Sequence, residues 1–133
     1  MKFSKATNYA LHTMLYFVVT DPKQQLGVQP LAEKMEISPT YLSKILTQLV
    51  KAGLVESASG AKGGYRLPRG WESISFLDII HAVEGPVSLF DGCLNDNPEC
   101  MVKQVMVSAE DKMEEELKQR TLADFAESAP AAL

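Results

Sequence analysis

The chain lacks most of what an enzyme or a secreted scaffold needs. Among 133 residues there are two cysteines, Cys93 and Cys100, too few for a disulfide framework. The two histidines, His12 and His81, sit in no zinc or nucleophile motif. No Gly-Lys-Ser/Thr phosphate loop occurs, and the glycines between 60 and 64 do not lie between a strand and a helix as such a loop requires. The acidic residues of the C-terminal part read as a solvated face rather than a paired acid and base. An enzyme is therefore not expected. Long apolar runs are also missing: the stretch from Tyr9 to Val19 is broken by His12 and is too short to span a bilayer. Thr20-Asp21-Pro22-Lys23 after it offers no small-residue cleavage site. These absences predict a cytoplasmic protein with no membrane partner.

A positive net charge is missing too, since the total is −4. The charge is unevenly spread, however. Residues 1–70 hold nine Lys+Arg against four Asp+Glu, and residues 71–133 hold four against thirteen. A basic first half suggests a surface for a polyanion, with the acidic half turned away from it. The 46% hydrophobic and 23% charged content is that of a globular domain with a core.

Residues 38–66 are the richest in signal. Ser38 is a suitable N-cap and Pro39 suits the first helical position. Leu42, Ile45, Leu46, Leu49 and Val50 form one apolar stripe at helical spacing. Tyr41, Ser43, Lys44, Thr47, Gln48 and Lys51 occupy the other face, and all can donate hydrogen bonds. Gly53 suits the left-handed stop. Leu54-Val55 and Tyr65-Arg66-Leu67 read as short strands around a tip with Gly60, Lys62, Gly63 and Gly64. Bare glycines beside a lysine suit a backbone approaching phosphate. The segment from Val28 to Met35 predicts a short helix with Leu31 and Met35 inward, linked tightly to the next. Together these elements predict a winged helix-turn-helix, with the second helix entering a major groove. An ordinary helical hairpin with an attached β-hairpin would share the same periodicities.

The first helix should carry Ala6, Ala10, Met14 and Phe17 on one face, and Leu11, Leu15 and Val18 on the next. After the wing, Ser75 and Asp78 have capping-box spacing before a helix with Leu77, Ile80 and Val83 inward, ended by Glu84-Gly85-Pro86. Residues 87–99 read as a loop. A long helix over 99–120 carries a narrow stripe of Val102, Val105, Met106, Ala109, Met113 and Leu117, the pattern of a seam between helices. The expected use is a homodimer interface, with packing on its own domain as the other reading. Residues 121–125 predict a last short helix, and residues 128–133 a frayed tail. The expected architecture is mainly α with a small β-hairpin wing. Residues 1–86 would form the DNA-binding part, and residues 87–133 a loop and dimerisation helix within one compact unit.

In order and in residues the chain resembles the Rrf-type winged-helix transcription regulators. The family includes an iron–sulfur regulator, a nitric-oxide sensor and a repressor of cysteine metabolism. The resemblance rests on Tyr9-Ala10, Pro-Thr-Tyr-Leu-Ser-Lys-Ile-Leu (39–46), Lys-Ala-Gly-Leu-Val (51–55), Gly-Gly-Tyr (63–65), Ala-Val-Glu-Gly-Pro (82–86) and Thr-Leu-Ala-Asp (121–124). It implies a homodimeric regulator binding double-stranded DNA at a palindromic operator. Contacts would come from Ser38, Thr40, Tyr41, Ser43 and Lys44 on the helix and Ser59, Lys62, Gly63 and Arg66 on the wing. Ser59 stands where the family often has arginine, with Lys62 as a substitute.

Sensing members of that family carry three cysteines before the dimer helix. This chain keeps Cys93 and Cys100 in the first and last places and lacks the middle one. Lys103 stands where some members have a histidine ligand. A two-iron two-sulfur cluster would need Cys93 and Cys100 together with His12 and Asn8 from the partner's first helix, and an amide is a poor iron ligand. A reversible Cys93–Cys100 disulfide is the alternative signal, as is control by a metabolite or a partner protein without any cluster. A winged helix used for protein interaction is the rival of another class, separable because DNA binding weakens steeply with salt.

Overall fold

The computed structural model describes residues 3–60, 63–86, 90 and 99–128. Six helices and one hairpin follow in order: α1 Lys5–Thr20, α2 Val28–Met35, α3 Pro39–Lys51, β1 Glu56–Ala58, β2 Gly64–Arg66, a 3-10 turn Trp71–Ser73, α4 Phe76–Glu84, α5 Met101–Gln119 and α6 Leu122–Ser128. Local chemistry sets most boundaries. The Ser38 hydroxyl accepts from Tyr41 N–H at 3.1 Å, and Pro39 opens α3. Gly53 takes the left-handed φ of 78° that ends α3. Ser75 and Asp78 exchange bonds of 2.9 and 3.1 Å in a complete capping box.

The core is gathered around α1. Ala10, Met14 and Phe17 are fully buried against Leu31 of α2 and Leu42, Ile45, Leu46 and Leu49 of α3. Truncating a side chain such as Phe17 typically costs about 3–5 kcal/mol in such a core. α4 buries two faces because it lies between α1 and α5. Ile79 therefore enters the core, whereas Leu77 and Ile80 turn to the cleft shared with Met113 and Leu117 of α5. The expected inward set of Leu77, Ile80 and Val83 thus missed Ile79.

The wing starts two residues later than its apolar pair suggested. Leu54 and Val55 are buried in the core, and the antiparallel register runs Glu56–Arg66, Ser57–Tyr65 and Ala58–Gly64. A third segment supports it, since Leu26 and Tyr65 exchange backbone bonds of 2.7 and 2.8 Å. This explains two glycines. A Cβ on Gly64 would lie 2.8 Å from the Leu26 carbonyl oxygen, and one on Gly63 would lie 2.4 Å from that of Ala58. The wing's own backbone accounts for both, without a phosphate.

The far end of α4 closes on the start of α1. One Glu84 carboxylate oxygen accepts from the Thr7 hydroxyl at 2.6 Å, the Ser4 hydroxyl at 2.7 Å and the Ser4 N–H at 2.9 Å. Ser4 is itself the N-cap of α1, accepting from Thr7 N–H. The carboxylate also sits where a helix N-terminus favours negative charge. The Thr7 hydroxyl above all, then the two Ser4 donors, hold the Glu84 carboxyl below its ordinary 4.5. A depressed folded value means that the stabilisation is complete above the unfolded pKa and is lost as pH falls through the folded one. Glu84→Gln should therefore lower Tm at about pH 7, by a cost near the ~1 kcal/mol of a lost cap. Thermal melts should show the gap between mutant and wild type narrowing as pH falls below 4.5. A gap that does not change with pH would show that the carboxylate charge is not what matters.

Candidate nucleic-acid interface and sensor end

Helices α2 and α3 pack together across the turn at Glu36, which adopts φ 56° and ψ 42°. It is the single non-glycine residue with positive φ among the described residues. The turn leaves one face of the first two turns of α3 on the surface. Ser38, Thr40 and Lys44 are exposed, and Ser43 is half-buried. Tyr41 is about one-third exposed and its ring meets Tyr9 edge-on, with centroids 5.8 Å apart. That contact fixes the tyrosine's direction and adds about 0.5–1.5 kcal/mol to its area burial.

On the wing, Ser59 is exposed and Gly63 donates its N–H to Gly60 carbonyl at 2.9 Å. Arg66 is less free than expected, because its Nε sits 3.1 Å from Glu56 across the hairpin. Half-exposed as both are, the pair contributes little to stability. It does hold the guanidinium against the wing base. Lys62 lies outside the described residues.

The expected seam on α5 divides in two. Val102 and Val105 are 63% and 64% exposed, Met101 is 77% exposed, and Ala109 is exposed. Met106, Met113 and Leu117 are half-buried, and the last two face Leu77, Ile80 and His81 across a small cleft. The C-terminal half of the stripe thus packs on α4 of its own chain, and the N-terminal half is largely exposed apolar surface. Cys100 is half-buried at the N-cap of α5, where its side chain makes no capping bond. Cys93 lies outside the described residues. Asn8 and His12 are exposed on α1, with His12 Nδ1 2.9 Å from the Asn8 carbonyl oxygen.

No group of three or more His, Cys, Asp or Glu side chains suited to a metal ion occurs among the described residues. No helix among them is long and apolar enough to cross a membrane. The Glu84 clasp on α1 and the Leu26 support of the wing escaped the sequence reading. The Ala-Val-Glu-Gly-Pro motif was the available signal for the first.

A helix-turn-helix with an exposed polar face on its second helix and a supported hairpin beside it defines a winged-helix DNA-binding transcription regulator. Residues 3–128 match Rrf2, described as iron-dependent transcriptional regulator, and the chain belongs to that family. Its structure resembles CymR, the global cysteine regulator of B. subtilis, with TM-score 0.83 and 29% identity over 97% of this chain and 98% of that one. CymR of Staphylococcus aureus is similar at TM-score 0.78 and 31% identity, covering 95% and 98% of the two chains. IscR of T. potens gives TM-score 0.74 and 32% identity over 94% and 85%.

Proposed function

We propose that the chain works as a cytoplasmic homodimer that regulates transcription by binding a palindromic operator, and that its work is binding rather than catalysis. The exposed face of Thr40, Tyr41 and Lys44 at the start of α3 is the observation that carries this reading. The N-terminal part of a recognition helix is where winged and simple helix-turn-helix proteins touch bases. Ser38 and Ser43 flank that face, and Ser59, Lys62, Gly63 and Arg66 follow the backbone from the wing. Residues 1–86 read the DNA, and residues 87–133 join the protomers through the exposed apolar stretch of α5. Two-fold symmetry then sets half-sites a helical turn or a multiple apart. Fluorescence anisotropy on genomic fragments tests this. Affinity should fall steeply with salt and be strongest on fragments with a two-fold repeat. Salt-insensitive or absent binding would leave the winged helix as a protein-interaction module.

The signal is read best as thiol chemistry. The donor set for a two-iron two-sulfur cluster fits poorly: two thiolates, one imidazole and a neutral amide, which is a weak donor to iron. A reversible Cys93–Cys100 disulfide needs a Cα separation of roughly 4.4–6.8 Å, which a loop of this length can close. In a reducing cytoplasm it would be transient, as suits an oxidant signal. S. aureus CymR, a structural relative, has been solved in an oxidised form. Anaerobic reconstitution should accordingly yield no stoichiometric iron and sulfide, and diamide should produce one intrachain disulfide per protomer. Visible absorption abolished by Cys93→Ala and His12→Ala would reverse this assignment. Normal regulation by the Cys93→Ala/Cys100→Ala double mutant would remove the cysteines as the signal.

A further inference from the structure

A small pocket opens where α1 passes the end of α2. Asn8, Tyr9, His12 and Tyr16 line it from α1, and Lys34 and Met35 from α2, around about 210 Å³. Sites for drug-sized molecules run to roughly 300–1,000 Å³, so an occupant here must be smaller. The charge of the lining is one-sided. Lys34 Nζ stands 5.9 Å from the centroid of the Tyr16 ring, and no aspartate or glutamate lines the pocket. A lining with one lysine and no carboxylate favours an anion over a zwitterion or a cation.

The polar atoms add direction. The Asn8 carbonyl oxygen can only accept, so the 2.9 Å contact places the proton of a neutral His12 on Nδ1 and leaves Nε2 for another partner. The Tyr9 and Tyr16 rings and the Met35 thioether supply an apolar surface.

We propose that this pocket binds a small monocarboxylate with a flat or apolar body, and that its occupancy is transmitted to the recognition helix. Two of its walls are joined to that helix. Tyr9 meets Tyr41 of α3 ring to ring. Met35 is the last residue of α2, immediately before the left-handed Glu36 of the turn. The buried Thr13 couples both walls: its hydroxyl donates to the Tyr9 carbonyl at 2.6 Å and lies 3.4 Å from the Met35 sulfur. A ligand that displaces either wall acts on the start of α3. The inference goes beyond thiol sensing, and only its second half rests on the DNA-binding reading.

Titration of the full chain without DNA, followed by calorimetry and by NMR, tests the first half with benzoate as probe and neutral benzamide as control. Benzoate should bind saturably, one per protomer, and benzamide should not. Lys34→Met should weaken benzoate about tenfold or more, and Lys34→Arg should restore most of the affinity. Equal binding of benzamide, unchanged binding to a folded Lys34→Met, or no saturable binding of benzoate, acetate or hexanoate would overturn the pocket. For the second half, saturating benzoate should change DNA affinity by about fivefold or more in wild type and not in Lys34→Met. Benzoate binding with DNA affinity unchanged would overturn the coupling.

Discussion

Val105→Lys should turn the protein into a folded monomer that no longer holds its operator. Val105 and Val102 project apolar surface from α5 with most of their area uncovered in the protomer. A lysine there meets water in the monomer, so protomer stability should shift by no more than about 0.5 kcal/mol. In a dimer built on this stretch the same lysine is buried twice, once per protomer, without a counter-charge. The expected cost is several kcal/mol, enough to dissociate a dimer at micromolar concentration. Operator affinity should then drop by about 10²–10⁴, because the second half-site is no longer reached intramolecularly. Sedimentation and anisotropy should report both losses together. Met113→Lys makes the contrast, because Met113 faces α4 of its own chain. That variant should lose Tm first. A Val105→Lys protein that sediments as a dimer would move the interface elsewhere.

The second large effect is expected from the start of α3. Thr40 and Lys44 lie one turn apart on the exposed face. If Lys44 meets a phosphate, Lys44→Ala should weaken operator and random DNA alike and reduce the slope of log K against log salt by about one. Thr40→Ala should instead cost about 1–3 kcal/mol on the operator alone, relaxing the preference at one base pair. Lys51, exposed at the other end of α3, serves as a control that should change neither quantity much. A Lys51→Ala effect equal to that of Lys44→Ala would reverse the direction in which the helix enters the groove. Tyr41→Ala would further remove the edge-on contact that sets the face's orientation.

What the sequence made legible was local. Ser38 with Pro39, the stop at Gly53 and the Ser75–Asp78 box each act within one helical turn, and each is found where the pattern placed it. The four core positions of α3 follow from a single period. The parts that were not legible depend on partners distant in the chain. Leu54 and Val55 have the composition of a strand, yet burial in the core uses their hydrophobicity, and pairing begins at Glu56. The bare wing glycines reflect the approach of Leu26 and of the hairpin itself, a pairing that no local pattern announces. On α5 one apolar stripe serves two neighbours, and only the position of α4 shows where the division falls. Glu84 read as the end of a helix, and its bonds reach 80 residues back to Ser4. For the candidate site, the exposed face of α3 was legible because polarity and spacing define it. The pocket beside His12 was not, because it exists only where α1 meets α2.

The C-terminal end of α5 is firmly anchored. At its C-terminal end the chain is stitched to the start of α4 by Phe76 N–H to Arg120 carbonyl and Leu122 N–H to Ile74 carbonyl, each 2.9 Å, and Leu122 is fully buried. The N-terminal end begins at Cys100 with exposed Met101 and Val102. The helix is thus an arm of 19 residues, about 28 Å long, with a fulcrum at the stitched end. A displacement of about 2 Å at the cysteine corresponds to a rotation of only about 4° at the fulcrum over that arm. Val102 travels nearly the whole distance, Val105 about three-quarters of it, and Leu117 hardly moves. In the proposed dimer, chemistry at the tip would realign one protomer against another while the core around α1 stays as it is.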